Sequence, residues 1–395
     1  MSIDDKKTKV GPGLTDLLAS DEAGQRAAGY ADTLREILQQ PVTWCDTARL
    51  LHDDTPRAVL AQALAATTGP IVLTGSGSSM YIGECLAPVL QEGLGREARA
   101  IPAGTLLTHW RGTLPPQPGL LISLARSGDS PESGGVVDRL LAEAPEWRHL
   151  MITCNANGHL ATAYRDDPRV SVLVLDARTN DRSLVMTSSF SNLLLAGSGL
   201  PPHSDTVTVA GRAAAATQTL IDTHADALAA LARRDLGMAV YLGSGAALGV
   251  AQESALKMLE MTGGRVLTMA ETFLGLRHGP MSSVRDNTLV VAFLSPDPLV
   301  RAYEHDLLRE LSRKQLGMAR LIIGEGIPGE LVGPDDVAID LALGGSAVSS
   351  MLAQVVSGQL LAFFRCLHLG GTPDAPAQGV LTRVVEGFVL HGARA

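Results

Sequence analysis

The chain has 395 residues, of which 46% are hydrophobic and 18% charged, and its formal net charge is −9. That length leaves room for two domains, and that balance suits a large core and excludes a disordered chain. The negative charge gives no general support to nucleic-acid binding, so an anionic ligand would need a local device such as backbone N–H groups or a placed arginine.

In chain order, residues 1–20 read as a loose arm with three lysines, and the apolar run of a signal peptide is missing from it. Two helices follow within residues 1–66. The first spans 21–40 and stops at Pro41; the second spans 44–65 with an interruption near Pro56. From Gly69 the pattern changes. Ile71-Val72-Leu73 is a short apolar run, a helix is expected over 80–92, and further runs stand at 120–124, 150–153 and 170–175. Strands alternating with helices imply parallel βαβ units and a doubly wound α/β sheet, assigned to a first domain over 67–201.

Residues 202–236, rich in Ala and His, read as a helical connector. A second domain and C-terminal tail then occupy 237–395. There the strand-like run Met238-Ala239-Val240-Tyr241-Leu242 leads into Gly243-Ser244-Gly245 and a helix, and later runs stand at 266–267, 288–294 and 320–323. The stretch Leu73-Thr74-Gly75-Ser76-Gly77-Ser78-Ser79 aligns with Tyr241-Leu242-Gly243-Ser244-Gly245-Ala246-Ala247, which marks an internal duplication rather than a solenoid. The apolar stretch 347–369 is interrupted by Ser349, Ser350, Gln354, Ser357, Gln359 and Arg365, so it reads as a buried core helix and no membrane partner is expected. Cys45, Cys85, Cys154 and Cys366 form no CxxC pair. Neither a disulfide framework nor a metal site is expected, and a reducing, cytoplasmic compartment fits.

Ligands of open α/β sheets bind beyond the C-terminal strand ends. Thr74-Gly75-Ser76-Gly77-Ser78-Ser79 sits at such an end and opens a helix, where glycines admit an anion to the backbone and hydroxyls add donors. Ala125-Arg126-Ser127-Gly128-Asp129-Ser130-Pro131 follows the next strand and again precedes a helix, so two hydroxyl-rich loops can close on one phosphate. The second copy has Ala246 and Ala247 in place of Ser78 and Ser79; the turn is kept and the hydroxyls are not. Neither the Walker sequence nor the GxGxxG fingerprint is met, which argues against a nucleotide cofactor. The helix after Ala246 is apolar apart from Glu253, Lys257 and Glu260, spaced four and three apart on one face. A carboxylate in such surroundings tends towards a raised pKa suited to moving protons near neutrality. His278 follows in the loop Gly275-Leu276-Arg277-His278-Gly279-Pro280.

These loops, together with Met186-Thr187-Ser188-Ser189-Phe190 and Arg383-Val384-Val385-Glu386-Gly387, resemble the SIS (sugar isomerase) family, and within it the tagatose-6-phosphate ketose/aldose isomerase or galactosamine-6-phosphate deaminase group. The resemblance runs from about residue 34 to 391. It implies two tandem SIS domains behind an N-terminal helical arm. It implies substrate or phosphate contacts from Ser76, Gly77, Ser78, Ser79, Arg126, Ser127, Ser130 and Ser188, with Asp181 or Arg182 as a substrate-facing position. It implies Glu260 as the C1–C2 proton shuttle, Lys257 beside it, and His278 as a ring-opening histidine supplied by a neighbouring subunit. Three departures stand out: Met281 where the group has a basic residue, a shortened segment 374–379, and Thr382 where asparagine is expected. The expected activity is deamination and isomerisation of a hexosamine 6-phosphate by a cofactor-free homodimer or larger oligomer. The alternatives are isomerisation of a neutral hexose 6-phosphate and a non-catalytic sugar-phosphate sensor.

Overall fold

A computed structural model describes residues 13–376, 379–385 and 388–391. The first twelve residues of the arm, Ala377-Gln378 of the shortened segment and Glu386-Gly387 of the late motif lie outside the described residues.

Continuous apolar runs suit strands covered on both faces, and these runs form two parallel five-stranded sheets. The helical N-terminal region comes first: α1 (Leu14–Ala19), α2 (Glu22–Ala27), α3 (Ala31–Leu38), α4 (Gln40–His52) and α5 (Asp54–Ala65). Then follow β1 (Ile71–Gly75), α6 (Ser78–Leu94), β2 (Ala98–Pro102), α7 (Ala103–Thr113), β3 (Leu120–Ala125), α8 (Pro131–Glu143), β4 (Arg148–Thr153), α9 (His159–Thr162) and β5 (Val170–Val174). Two helices, α10 (Ser188–Ser198) and α11 (Thr206–Ala232), lead to β6 (Met238–Leu242), α12 (Ala247–Thr262), β7 (Leu267–Glu271), β8 (Thr288–Phe293), α13 (Pro298–Arg313), β9 (Ala319–Gly324), β10 (Val337–Asp340) and α14 (Ala347–His368).

The first sheet runs β2-β1-β3-β4-β5 and the second, read from its other end, β7-β6-β8-β9-β10. The duplication seen in the sequence is therefore a duplication of topology. In each sheet the chain leaves the opening strand on one side and returns on the other: β1 pairs with β2 and with β3, both in parallel. This is the switch point at which open α/β sheets form a crevice, and it places the loops after β1 and β3 side by side.

The two halves meet through their equivalent helices. α6 packs on α12, and α14 lies against both α12 and α11. Gly249 makes the α6–α12 approach possible: a Cβ there would lie 2.5 Å from Cys85 Sγ and 2.7 Å from the Tyr81 carbonyl oxygen. Helix α14 is long and apolar enough to cross a membrane by length and composition, but 89% of its most apolar window is buried inside the protein. Its polar residues are used there. Gln359 accepts from Gln40 Nε2 at 2.7 Å, Gln354 donates to the Leu294 carbonyl, and Arg365 donates to the carbonyls of Ala232, Arg234 and Leu236 at the end of α11.

The structure departs from the sequence reading at the ends of elements. The expected helix over 21–40 is two helices, broken where Gly29 turns left-handed (φ +72°). Pro41 stands in the first turn of α4 rather than terminating its predecessor. The edge strands β2 and β10 were not anticipated; their half-exposed Ala98-Arg99-Ala100-Ile101-Pro102 and Val337-Ala338-Ile339-Asp340 lack the apolar runs of central strands.

Candidate active site

The crevice at the switch point of the first sheet holds a cavity of about 320 Å³. Helix α6 begins at Ser78, two residues earlier than the sequence suggests, so Ser78 and Ser79 lie in its first turn. Gly77 enters that turn at φ +56°, a conformation open to glycine at little cost. Gly75 is packed too tightly for a side chain, since a Cβ would lie 2.5 Å from Ser79 Cβ. Ser76 to Ser79 form one wall of the cavity.

The loop after β3 forms the facing wall with Arg126, Ser127, Gly128 and Ser130. Gly128 turns left-handed (φ +72°), Ser127 Oγ accepts from Asp129 N, and Asn155 Nδ2 donates to the Ser127 carbonyl at 2.9 Å. The loop is thus fixed from behind. The Ser127 hydroxyl proton stays available to a ligand. Arg126 is 8% exposed. It donates to the carbonyls of Ser183 and Leu184 (3.1 and 2.9 Å) and of Arg383 (3.2 Å), and it has no ion-pair partner among the described residues. Burial pulls its pKa below the usual value; an arginine remains a cation throughout the physiological range.

The third wall comes from the other half. Lys257 and Glu260 of α12 reach the cavity across the α6–α12 contact. Lys257 Nζ donates to Ser78 Oγ at 3.1 Å and to Glu260 Oε2 at 2.5 Å, and lies 3.5 Å from Glu253 Oε1. Glu260 is the accessible carboxylate, with 25% of its side chain exposed, whereas Glu253 is fully buried. Burial pushes the Glu253 carboxyl up to about 8; Lys257 opposes that rise and Glu260 adds to it. Burial also acts to lower the Lys257 pKa, but Glu253 and Glu260 outweigh it and the net shift is upward. Leu259, next to Glu260 in sequence, is exposed although the helix is apolar.

Four residues singled out in the sequence stand elsewhere. Asp181 is not part of the cavity wall. It is 1% exposed and caps α10, accepting from Thr187 N, Ser189 N and the hydroxyls of Ser188 and Ser189 at 2.5–2.9 Å. With both oxygens engaged, it is not a substrate-facing acid within this chain. Ser188 is fully buried, donating to Asp181 and accepting from Gln39. Arg182 is exposed outside the cavity, and so is His278, which closes a short 3-10 turn over Gly275–Arg277. Conversely, Thr382 and Arg383 of the tail line the cavity, and Arg383 donates to Asn180. The Arg383-Val384-Val385 motif was the available signal, but a lone arginine beyond the last helix carries no periodicity to place it.

The duplication supplies a control. The equivalent place in the second half is a smaller cavity of about 210 Å³ lined by Ser244, Gly245, Ala246, Ala247, Val89 and Glu92. Gly245 repeats the turn of Gly77 with φ +55°. Ala246 and Ala247 stand for Ser78 and Ser79, Leu294 for Arg126 and Val89 for Lys257, while Ser244, Ser295 and Glu92 keep the places of Ser76, Ser127 and Glu260, so the scaffold is retained without the two helix-start hydroxyls or the cations. Among the described residues no three His, Cys, Asp or Glu side chains gather to hold a metal ion.

No family model matches the chain. An AgaS protein of Streptomyces coelicolor is 39% identical over 377 residues, covering 91% of this chain and 95% of that one. The D-galactosamine-6-phosphate deaminase AgaS of Escherichia coli is 35% identical over 370 residues, with coverages of 91% and 95%. The crystal structure of tagatose-6-phosphate ketose/aldose isomerase from Escherichia coli superposes with a TM-score of 0.84 at 33% identity, covering 92% of this chain and 97% of that one.

Proposed function

The chain belongs to the SIS family of sugar-phosphate isomerases and deaminases, in the group that includes AgaS, and from that membership we propose that it converts a hexosamine 6-phosphate, galactosamine 6-phosphate first, into the ketose 6-phosphate and ammonia. One observation carries this reading: Lys257 ties Glu260 of one half to Ser78 of the other, so an acid/base pair and a phosphate cradle share one cavity.

The phosphate binds between Ser76–Ser79 and Arg126–Ser130, receiving hydroxyl and backbone donors and the unpaired charge of Arg126. The open-chain sugar then extends towards α12. Glu260 removes the C2 proton, which leaves an enolamine conjugated with the C1 oxygen. Return of the proton to C1 gives a ketimine at C2, and water cleaves it to the ketose and ammonia. Lys257 holds the Glu260 carboxylate and places a positive charge beside the developing enolate.

Ring opening falls to His278. It is exposed and stands outside the cavity, with Leu259, Leu267 and Leu274 exposed on α12, β7 and the loop beyond. A two-fold homodimer that covers this face brings the histidine of one copy to the cavity of the other. The working compartment is the cytoplasm, where sugar phosphates occur.

The test is incubation with galactosamine 6-phosphate in deuterated water, following ammonia, ketose 6-phosphate and deuterium at C1. Ammonia with a labelled ketose supports the reading. Turnover of tagatose 6-phosphate without any release of ammonia from the amino sugar supports plain ketose/aldose isomerisation, the activity named for the Escherichia coli structure. Ser127→Ala should raise KM for the phosphorylated sugar about tenfold, since one charge-assisted hydrogen bond contributes about 1.5–3 kcal/mol. Equal rates on unphosphorylated galactosamine would remove the cradle from the account.

A further inference from the structure

The guanidinium of Arg126 is aimed by main-chain carbonyls and not by a carboxylate. A carboxylate partner would orient the group and also cancel its charge. Carbonyls orient it and leave the charge for an incoming anion. The question is what fixes the carbonyls, because residues 180–187 form an irregular segment with no strand or α-helix to hold them.

The answer lies outside both sheets. Glu36 of α3 is 2% exposed and spends its carboxylate on that segment. It accepts from Arg182 N at 2.6 Å, from Ser183 N at 3.4 and 3.3 Å, and from Ser183 Oγ at 2.5 Å. The carbonyls of Ser183 and of the next residue, Leu184, are those that receive Arg126 Nη1. Helix α3 is pinned in turn from the other end of the chain: Asp374 accepts from Thr33 N at 2.7 Å and from Thr33 Oγ1 at 2.8 Å.

Resting on the phosphate role given to Arg126 above, we propose that Glu36 is a positioning residue for substrate binding: its carboxylate clamps residues 182–183 so that the Ser183 and Leu184 carbonyls aim Arg126 into the cavity. The clamp needs an acceptor at both carboxylate oxygens. Glutamine keeps the shape but presents an N–H group to the peptide N–H groups it must accept from. Burial explains why no exposed neighbour can substitute, and it accounts for the Glu36 carboxyl being pushed up to about 7, first by burial and then by Asp181, against the lowering effect of its hydrogen bonds from Ser183 and Arg182.

The experiment compares Glu36→Gln, Arg126→Ala and the double variant for KM, kcat and competitive inhibition by inorganic phosphate, after thermal unfolding has shown that each is folded. Glu36→Gln should raise KM and the phosphate inhibition constant together by about tenfold, with kcat within about threefold of the parent. The double variant should be no worse than Arg126→Ala alone, because the two act in series. Ser183→Ala removes one donor to the clamp and should move the same constants in the same direction by a smaller factor, which keeps the proposal testable if Glu36→Gln does not fold. Additive losses in the double variant, or unchanged phosphate inhibition in a folded Glu36→Gln, would overturn the positioning role. If Arg126→Ala itself leaves KM and phosphate inhibition unchanged, the phosphate role of Arg126 fails instead.

Discussion

Glu253 and Glu260 share one face of one helix and one lysine, yet they meet different surroundings. Glu260 opens to the cavity; Glu253 is sealed. A general base must reach its substrate, and such catalysis contributes about 10²–10⁴-fold. Glu260→Gln is therefore expected to bind substrate nearly normally and lose kcat by that factor, with no deuterium entering the product. Glu253→Gln should keep most of its turnover; the reverse pattern would show that the wrong carboxylate had been assigned. Glu253 also leaves a mark on stability. Its folded pKa of about 8 lies above the ordinary 4.5, so the native state holds the proton through that window while the unfolded state has lost it. Its contribution is fully present below about pH 4.5 and is lost as pH rises through 8. Melting temperatures measured from pH 5 to 8.5 should fall more steeply in the parent than in Glu253→Gln.

At the scale of elements, the crossing of α6 over α12 sets the distance between cradle and base. Gly249→Ala forces a methyl group against Cys85 and the Tyr81 carbonyl. Overpacking of this kind costs about 1–3 kcal/mol, and relief by separating the helices would draw Lys257 away from Ser78. A lower melting temperature together with a lower kcat is the expected result; a stability loss with unchanged kcat would show that the crossing can relax elsewhere. Strand β4 carries a second testable burial. His149 is 1% exposed, neither ring nitrogen has a hydrogen-bond partner among the described residues, and burial lowers its pKa to about 4. Between pH 6.5 and 4 the unfolded chain binds a proton that the native chain refuses, so stability falls with acidification by up to about 3 kcal/mol. His149→Leu should flatten that acid limb in denaturant titrations at pH 4.5 and 6.5. The central strands and the two glycine turns were legible in the sequence because burial on both faces and a strand-to-helix turn each demand particular residues. The edge strands Ala98–Pro102 and Val337–Asp340 were not, since each mixes charged or small residues into a half-exposed run; Val170–Val174, also at an edge, was legible from its Val and Leu content. Asp181 shows a different limit. Its place in the motif resembled a ligand position, and only the folded chain reveals that four donors consume its carboxylate.

For the whole molecule, the decisive matter is that the cavity draws on both halves and that His278 stands outside it. If His278 acts on the cavity of a second copy, two inactive variants should rescue each other. Mixing Glu260→Gln with His278→Ala after unfolding and reassembly should restore about a quarter of the parent activity on cyclic substrate, since half the dimers are mixed and each holds one intact site. No recovery in assemblies shown to be mixed would place His278 in its own chain's reaction or outside the chemistry. Arg383 and Glu36 show why this level was the least legible beforehand: one follows the last helix and the other lies within the N-terminal helices, and both meet the first domain's loops only in the folded chain.

The left-handed turn at Gly245, kept where Ala246 and Ala247 follow it, bears on stoichiometry. A census of glycine-rich turns at strand ends would credit each chain with two anion sites, and calorimetric titration should find one. The binding capacity of the molecule depends on the two residues after the turn and on the residue in the place of Arg126, and a graft of Ser, Ser and Arg at positions 246, 247 and 294 is the direct way to ask whether a second equivalent of phosphate can be regained.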